Sequence, residues 1–190
     1  MAISTAIIQT ARRLGGRVLS WPAVAACLKF LLPLQYHIRD ADPSRDLDAL
    51  ALFGTAFQPG FRPAFRASLE QEFRSATPDH HRFLVTADTA RSSRLVGYIR
   101  LEARRQDWWI TGMEVRPWYR RRGIAEALTR RAIRILQGSG VENVCLSVRG
   151  DNLSAIQLYE KLGFRRESGL SDPTLRPGDI GMMLNKVSHG

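Results

Sequence analysis

Three consecutive arginines stand before a glycine in the segment Arg120–Ala125, which reads Arg-Arg-Arg-Gly-Ile-Ala and is called the arginine loop below. A strand that enters a helix through a glycine leaves backbone N–H groups unpaired at the helix start, where the helix dipole adds positive charge. Gly123 and Ala125 are small enough for a ligand to approach the backbone, and Arg121 and Arg122 can bind further phosphate charge. The loop predicts a phosphate or pyrophosphate site; a solvated basic helix start is the alternative.

A second motif spans Asn152–Phe164 and has helical spacing. Asn152, Ala155 and Tyr159 fall on one face of that helix, about two turns from end to end. An amide and a phenol on one face are not typical of a purely apolar packing surface. A phenol with an ordinary pKa near ~10 is protonated at neutral pH and can donate to a leaving group. Tyr159 is therefore a candidate general acid, and an ordinary core tyrosine is the alternative.

Together the two motifs resemble those of the GCN5-related N-acetyltransferase (GNAT) family. The first matches the family's Arg/Gln-x-x-Gly-x-Gly/Ala loop through Arg120, Gly123 and Ala125. The second matches its Asn-x-x-Ala-x-x-Leu-Tyr-x-x-x-Gly-Phe segment through Asn152, Ala155, Leu158, Tyr159, Gly163 and Phe164. The segment Met113–Pro117 resembles the family strand that precedes the loop. The resemblance covers about residues 36–187.

The resemblance implies an α/β (α+β) GNAT-like fold, with a single mixed, mostly antiparallel central sheet flanked by helices. It implies an N-acetyltransferase that moves an acetyl group from acetyl-coenzyme A directly to a primary amine, of a small molecule or a peptide N-terminus, without a metal. Such an enzyme must hold both reactants, take a proton from the amine, polarise the thioester carbonyl and protonate the thiolate.

The resemblance also assigns residues to the cofactor. Backbone N–H groups of the arginine loop would hold the pyrophosphate, the strand at Glu114–Val115 would bond the pantetheine, and Asn152 would touch the pantetheine arm. The expected acetyl-coenzyme A ligands are Met113, Val115, Arg120, Arg121, Arg122, Gly123, Ile124, Ala125, Asn152 and Tyr159.

The general base is less well defined. In the family subgroup that acetylates the N-terminus of a ribosomal protein, which the C-terminal half of this chain resembles most, a glutamate on the strand after the long helix is the base. The matching residue here is Ser147, which cannot act as a base unaided. Glu114, on the neighbouring strand, is the expected substitute and would act through a water. Glu102 is a weaker candidate, and proton loss to bulk water is a third route.

The acceptor amine is expected at the loop between the first two helices of the domain. Phe57, Phe61, Arg62 and Arg66 lie there and suggest a partly apolar acceptor that carries a carboxylate. Core packing of the phenylalanines is the alternative. The expected acceptor-binding residues are Phe57, Phe61, Arg62, Glu114 and Ser147.

An alternation of strands and helices must position these residues. Periodicity and breaker residues predict strands at 36–39, 82–87, 95–103, 108–115, 144–148 and 180–186, and helices at 44–57, 63–75, 123–137 and 152–162. The loop at 88–94 suits an antiparallel hairpin, and the later elements form a strand–helix–strand unit.

The amino-acid composition limits which other classes of function fit the chain. The 190 residues include 28 Lys and Arg against 18 Asp and Glu, so the net charge is +10. Such a surplus is typical of proteins with a polyanionic partner, but the arginine loop uses part of it, and nucleic-acid binding is the least favoured reading. The four histidines have no metal-ligand spacing, and the two cysteines do not form a disulfide framework. The sequence leaves open whether the chain forms a homodimer.

Residues 1–35 lie outside the resemblance and precede a domain predicted at 36–190. They carry four basic residues and no acid, with apolar residues at helical spacing between glycines and prolines. This helical extension is predicted to dock on a partner protein or on a membrane surface; its apolar stretch is too short to span a bilayer. The chain is expected in the cytoplasm, or at the membrane periphery. The second functional hypothesis is a catalytically weak acyl-coenzyme A-binding module anchored by residues 1–35.

Overall fold

The computed structural model describes residues 36–54, 59–75, 81–88, 94–105, 107–139, 141–170 and 176–185. The chain divides between Leu34 and Gln35, and the account below concerns the second unit. The helical extension predicted at 1–35 lies outside the described residues, as does Phe57.

Strands and helices alternate along the described chain. The strands are β1 (Tyr36–Asp40), β2 (His81–Asp88), β3 (Arg94–Arg104), β4 (Asp107–Val115), β5 (Asn143–Arg149), β6 (Arg165–Arg166) and β7 (Asp179–Asn185). The α-helices are α1 (Pro43–Gly54), α2 (Arg62–Ser75), α3 (Ile124–Gln137) and α4 (Leu153–Lys161). Short 3₁₀ turns precede α2 at Pro59–Phe61 and α3 at Pro117–Tyr119.

The described strands form one mixed sheet in the order β1-β2-β3-β4-β5-β7-β6. Neighbouring strands pair antiparallel except β4 and β5, which pair parallel. A parallel pair requires a crossover connection, and α3 supplies it between β4 and β5. The parallel step therefore places the start of α3 at the carboxyl end of β4, where the arginine loop lies.

Helices cover both faces of this sheet. Tyr98 of β3 packs against an apolar cluster that α1 and α2 contribute to. A side chain added at the preceding residue, Gly97, would instead meet Ile124 of α3. Because successive strand residues point to opposite faces, α1 and α3 lie on opposite sides of the sheet.

The apolar periodicity of the sequence accounts for this packing. α3 buries Ile124, Leu128, Ala132 and Leu136 along one face, while Arg130, Arg131 and Arg134 stay exposed. On the other side, Leu47, Leu50 and Phe53 of α1 pack with Leu69 of α2 and Leu95 of β3. Burial of each such side chain contributes about 1.5–3 kcal/mol.

The predicted fold class and the β2–β3 hairpin are confirmed. The first helix is described from Pro43 to Gly54, and the predicted continuation over 55–57 lies outside the described residues. One detail differs from the sequence prediction: the two-residue strand β6 was not predicted. Two consecutive exposed arginines give no strand pattern, and β6 exists only through its pairing with Met182 and Met183 of β7.

Candidate active site

The parallel strands β4 and β5 separate at the middle of the sheet. They pair from Trp108 opposite Val144 to Ile110 opposite Leu146. Beyond that point β4 continues beside β3 to Val115, and β5 continues beside β7 to Arg149. The space between the two diverging segments, called the β4–β5 gap below, therefore has a strand edge on each side.

A β-bulge in β4 explains the separation. Ile110 lies opposite Leu101 and Gly112 lies opposite Arg100, so Thr111 is an extra residue in β4. Bulges bend the strand that contains them and increase its twist. This one follows the last residue of β4 that pairs with β5, and it turns the end of β4 away. The Thr111 hydroxyl is buried and has no hydrogen-bond partner among the described residues.

The backbone of β4 presents hydrogen-bonding groups to the gap. Arg116 N–H donates to Val96 O of β3 at 2.8 Å. Since main-chain groups alternate in direction along an antiparallel strand, those of Glu114 also point to β3. Those of Met113 and Val115 consequently point towards the gap. Met113 and Val115 are both among the predicted cofactor ligands, whereas the backbone of Glu114, which the prediction placed on the pantetheine together with Val115, faces β3 instead.

The arginine loop joins the end of β4 to α3. Arg120 Nε donates to Val115 O at 2.9 Å, and Arg120 N–H donates to Pro117 O at 3.2 Å. Arg121 and Gly123 both have left-handed backbone conformations, with φ of 60° and 76°. For a residue with a side chain this conformation is uncommon and strained, and such residues concentrate at ligand-binding loops.

The first turn of α3 contains backbone N–H groups that make no hydrogen bond within the helix. Its first helical bond runs from Ala127 N–H to Gly123 O at 2.9 Å. The N–H groups of the three residues between them therefore have no acceptor within the helix, and Gly123 makes no side-chain cap. With the positive end of the helix dipole, these donors and the left-handed loop form a concave anion site.

An acidic residue in the first turn of α3 is neutralised by two cations. Glu126 accepts from Lys161 Nζ of α4 at 2.7 Å and from Arg130 at 3.0 Å. These bonds hold the pKa of Glu126 below its ordinary value, with the Lys161 bond the larger cause. The carboxylate beside the anion site is thus paired and does not repel an incoming phosphate as a free charge would.

Helix α4 carries the second motif. Asn152 is its N-cap, and the side-chain oxygen accepts from Ala155 N–H at 3.3 Å. The sequence predicted a contact of Asn152 with the pantetheine arm. The capping role was not foreseen, and it leaves the amide nitrogen and one lone pair of the amide oxygen for a ligand. Tyr159 is 5% exposed and packs edge-on against Phe164, with ring centroids 5.6 Å apart. Burial raises its pKa above the ordinary value, so the phenol stays protonated.

Glu114 is the carboxylate of β4 beside the gap. It is half-buried, and burial raises its pKa, although the nearby Arg120 and Arg116 act in the opposite direction. Directly opposite on β3 lies Tyr98, whose pKa is raised to about 12 by burial and by the charge of Glu114. Sequence analysis did not single out Tyr98, because its proximity to Glu114 depends on the β3–β4 register.

The other base candidates have different surroundings. Glu102 lies opposite Trp109, in the part of β4 that still pairs with β5, and its carboxylate binds Arg104 at 3.1 Å. It therefore does not face the gap. Ser147 follows the last residue of β5 paired with β4, so it does line the gap, opposite Gly181 of β7.

The predicted acceptor loop is described only from its 3₁₀ turn onwards. Phe61 is 65% exposed, which is inconsistent with the alternative that it belongs to the core. Arg62 is exposed at the start of α2. Arg66, one of the arginines proposed to attract a substrate carboxylate, instead contacts Asp48 at 2.6 Å and Glu70 at 3.2 Å. Its charge is already engaged within the protein.

The described residues contain neither an activated thiol nor a metal-binding cluster. The Cys145 thiol is buried, and burial raises its pKa to about 12, so it is not an activated nucleophile. Among the described residues, no three His, Cys, Asp or Glu side chains come together as a metal site. None of the helices in that same part of the chain has the length and apolar character needed to cross a bilayer.

A sequence model described as the acetyltransferase (GNAT) family matches residues 48–164. The chain is 43% identical over 56 residues to acetyltransferase SG1711 of Sodalis glossinidius (strain morsitans), an alignment that covers 30% of this chain and 39% of that protein. It is 46% identical over 50 residues to the ribosomal protein bS18-alanine N-acetyltransferase of Escherichia coli (strain K12), covering 26% of this chain and 34% of that one. The chain thus spans less than half the length of these relatives.

Solved structures share the architecture over most of both chains. The ribosomal-protein-S18-alanine N-acetyltransferase from Escherichia coli superposes with a TM-score of 0.61 at 22% identity, covering 82% of this chain and 97% of that one. The PaiA N-acetyltransferase from Thermoplasma acidophilum, crystallised in complex with coenzyme A, has a TM-score of 0.63 at 19% identity, covering 80% and 99%. At sequence identities of 22% and 19%, these superpositions show a shared fold and do not by themselves show a shared activity.

Proposed function

The chain belongs to the acetyltransferase (GNAT) family, and we propose that it transfers an acetyl group from acetyl-coenzyme A directly to a primary amine, of a small molecule or of a peptide N-terminus. The observation that carries this proposal is the meeting of two features at the end of β4. The strand edge of Met113–Val115 borders the β4–β5 gap, and the anion site of the arginine loop follows within a few residues.

These two features suit the two ends of an acyl-coenzyme A. The gap offers backbone groups of Met113 and Val115 to the amides of a pantetheine chain, in the manner of an added strand. The N–H groups of Ile124 and Ala125, with the side chains of Arg121 and Arg122, offer donors to a pyrophosphate. Arg120 bonds to Val115 O and so ties the phosphate site to the strand edge. The residues therefore fit the proposed cofactor.

Tyr159 is the proposed donor to the leaving sulfur. Burial keeps the phenol protonated, as donation requires. Because its pKa is raised further above the value of ~8.5 typical of a cysteine thiol, full proton transfer from the phenol to a thiolate is uphill. Hydrogen-bond donation to the developing thiolate is therefore its main contribution, and the thiolate takes up its proton from solvent.

Glu114 is the proposed base. Its raised pKa brings it closer to the pH at which a general base works well. In the overall reaction a nitrogen–carbon bond forms and the carbon–sulfur bond breaks. One N–H proton leaves the amine through Glu114, directly or by a water, and one proton is taken up by sulfur. Ser147 lines the gap but can only hydrogen-bond, so we propose it as an acceptor-binding residue.

The acceptor is proposed from two sources. The similar Escherichia coli protein is named for acetylating an alanine of ribosomal protein bS18, and another structure with the same fold is a spermidine N-acetyltransferase chimera. Both act on primary amines. Exposed Phe61 and Arg62 support an acceptor with an apolar portion, and Phe57 stays a prediction. The proposed location is the cytoplasm, with membrane or partner contact through residues 1–35.

The test measures thiol release from acetyl-coenzyme A with peptides bearing free Ala, Ser or Met N-termini, with spermidine and with a lysine-containing peptide blocked at its N-terminus. We expect turnover with at least one of these amines and binding of coenzyme A by calorimetry. Tyr159→Phe should lower kcat about 10²-fold while the Kd for coenzyme A stays within twofold. Failure of the wild type to bind coenzyme A would refute the proposal.

Residue 147 is a serine and not the glutamate that acts as base in the family subgroup that the chain resembles most. This difference favours a second candidate function, a catalytically weak acyl-coenzyme A-binding module anchored by residues 1–35. The same experiment separates the two. Coenzyme A binding without thiol release for any amine would support the module, and turnover would exclude a pure binding role.

A further inference from the structure

One face of the β3–β4 pair carries a small opening next to Glu114. Tyr98 lies opposite Glu114, and Arg100 lies opposite Gly112. A Cβ atom added to Gly112 would lie 3.5 Å from Cε2 of Tyr98, 3.7 Å from its hydroxyl and 3.7 Å from Cβ of Arg100. The Tyr98 ring therefore leans over Gly112, and the missing side chain leaves room of about one methyl group beneath the phenol oxygen.

The position of Tyr98 is fixed by packing from the α1 side. Its ring meets Phe53 of α1 edge-on, with centroids 5.6 Å apart and planes at 81°. The Arg116 guanidinium lies over the Phe53 ring at 4.5 Å and donates from Nε to Leu95 O at 2.7 Å. This stack leaves Tyr98 few alternative rotamers, so its hydroxyl is preorganised above Gly112.

The Tyr98 hydroxyl borders the opening, and Glu114, the cross-strand partner of Tyr98, lies two residues along β4 from Gly112 on the same face. Both can accept a hydrogen bond from an amine. The cations on this face are partly engaged elsewhere, since Arg100 contacts Glu72 at 2.8 Å and Arg120 bonds to Val115 O. The raised pKa values of Tyr98 and Glu114 have burial as their first cause, and a cation placed between them would compensate that burial.

We infer that the acceptor nitrogen docks over Gly112, donating one N–H to the Tyr98 hydroxyl while Glu114 receives the proton that is removed. Tyr98 is then an acceptor-binding residue of the reaction. The opening has room for about one heavy atom, so it suits a nitrogen whose only other substituent outside the opening is its own carbon chain. The favoured acceptors are therefore primary amines, and we expect an N-methyl group to hinder docking. This inference rests on the proposed function.

Tyr98→Phe tests the inference, because the ring keeps its contact with Phe53 and only the hydroxyl is lost. We expect the amine KM at saturating acetyl-coenzyme A to rise about tenfold, as for loss of one hydrogen bond. The KM for acetyl-coenzyme A and the Kd for coenzyme A should stay within twofold. Tyr36→Phe, which removes a phenol hydroxyl from half-buried Tyr36 in β1, is the matched control and should change neither constant.

Gly112→Ala is the second variant. The added methyl group meets Tyr98 at an ordinary contact distance, so the fold should be retained, but the opening is filled. We expect kcat/KM for the amine to fall at least tenfold with coenzyme A affinity retained, and the N-methyl form of the best acceptor to be a poorer substrate of the wild type. An unchanged amine KM in Tyr98→Phe, with the wild type active, would overturn this inference alone. A wild type that binds no coenzyme A would overturn the proposed function and this inference with it.

Discussion

At the residue scale, Glu114 combines a proposed catalytic role with an environment that disfavours its charge. Burial raises its pKa, so the folded protein favours the neutral carboxyl. For such a group, the contribution to stability is fully present below the unfolded pKa, near ~4.3, and is lost as pH rises through the folded pKa. Once the pH exceeds the folded pKa, the ionised Glu114 therefore lowers the free energy of unfolding.

Glu114→Gln should separate activity from stability. We expect kcat/KM for the amine to fall about 10²-fold, because the proton acceptor is lost. The variant should be more stable than the wild type at pH 7, with the difference vanishing near pH 4; urea unfolding at both pH values measures this. Glu102→Gln, the alternative base, should keep its activity within twofold. Full activity in Glu114→Gln would mean that solvent takes the proton.

Thr111 and Thr129 offer a comparison of two buried hydroxyls. The Thr111 hydroxyl is unpartnered among the described residues, whereas Thr129 Oγ1 donates to Ala125 O at 2.9 Å. Thr111→Val should raise the free energy of unfolding by about 1 kcal/mol, since an unsatisfied buried group disappears. Thr129→Val should lower it by about 1 kcal/mol, since a hydrogen bond disappears. Chemical unfolding measures both, and a destabilised Thr111→Val would show that this hydroxyl has a partner.

At the element scale, helix α3 is flanked by two glycines whose backbone conformations differ in handedness. Gly123 is left-handed with φ of 76°, while Gly138 is right-handed with φ of −65°. Gly123→Ala should destabilise the protein by about 1 kcal/mol through backbone strain and weaken coenzyme A binding, because the anion site depends on this conformation. Gly138→Ala should leave binding unchanged and stabilise by up to about 1 kcal/mol. Thermal unfolding and calorimetry measure both effects, and equal coenzyme A affinity in the two variants would contradict an anion site at this loop.

The elements themselves could be predicted where local patterns determine them. The apolar stripe of α3 and the glycine before it predicted both the helix and the loop, and the chain order of strands and helices predicted the mixed sheet. The bulge at Thr111 and the left-handed Arg121 could not be predicted, because they arise from the pairing of β4 with β3 and from the path of the loop back to Val115.

The same distinction applies to the candidate site. Residues of contiguous motifs, such as Gly123 and Tyr159, could be proposed from their spacing and from the family resemblance of the motifs that contain them. Tyr98 could not be proposed from the sequence because only the cross-strand register brings it next to Glu114, and the ion pair of Arg66 could not be foreseen because its partner Asp48 lies on another helix. Both cases depend on contacts between residues that are distant in sequence. A single sequence does not show which distant residues meet.

At the scale of the whole molecule, the charge surplus has separable sources. Residues 1–34 contribute Arg12, Arg13, Arg17 and Lys29 without any acid, which leaves +6 of the total +10 for the remainder. In that remainder several bases of the described chain are paired, among them Arg130 and Lys161 with Glu126. The arginine loop instead surrounds free helix N–H groups. Part of the basic surplus of the domain thus lies at the proposed phosphate site, and part is dispersed, as at the exposed Arg131 and Arg134. Neither part accounts for the charge of the extension.

Comparing the full chain with a shortened chain of residues 35–190 tests whether the N-terminal extension binds a membrane surface. A basic, acid-free segment with apolar residues at helical spacing should bind an anionic bilayer surface, each basic residue contributing about 1 kcal/mol. We expect the full chain to sediment with vesicles of phosphatidylcholine and phosphatidylserine, less so as salt rises, and not with phosphatidylcholine alone. The shortened chain should remain in solution but release thiol from acetyl-coenzyme A at the same kcat with a small amine. Replacing Arg12, Arg13 and Arg17 by Gln in the full chain should abolish sedimentation. If the full chain stayed in solution with both vesicles, a protein surface and not a bilayer would be the partner of residues 1–35.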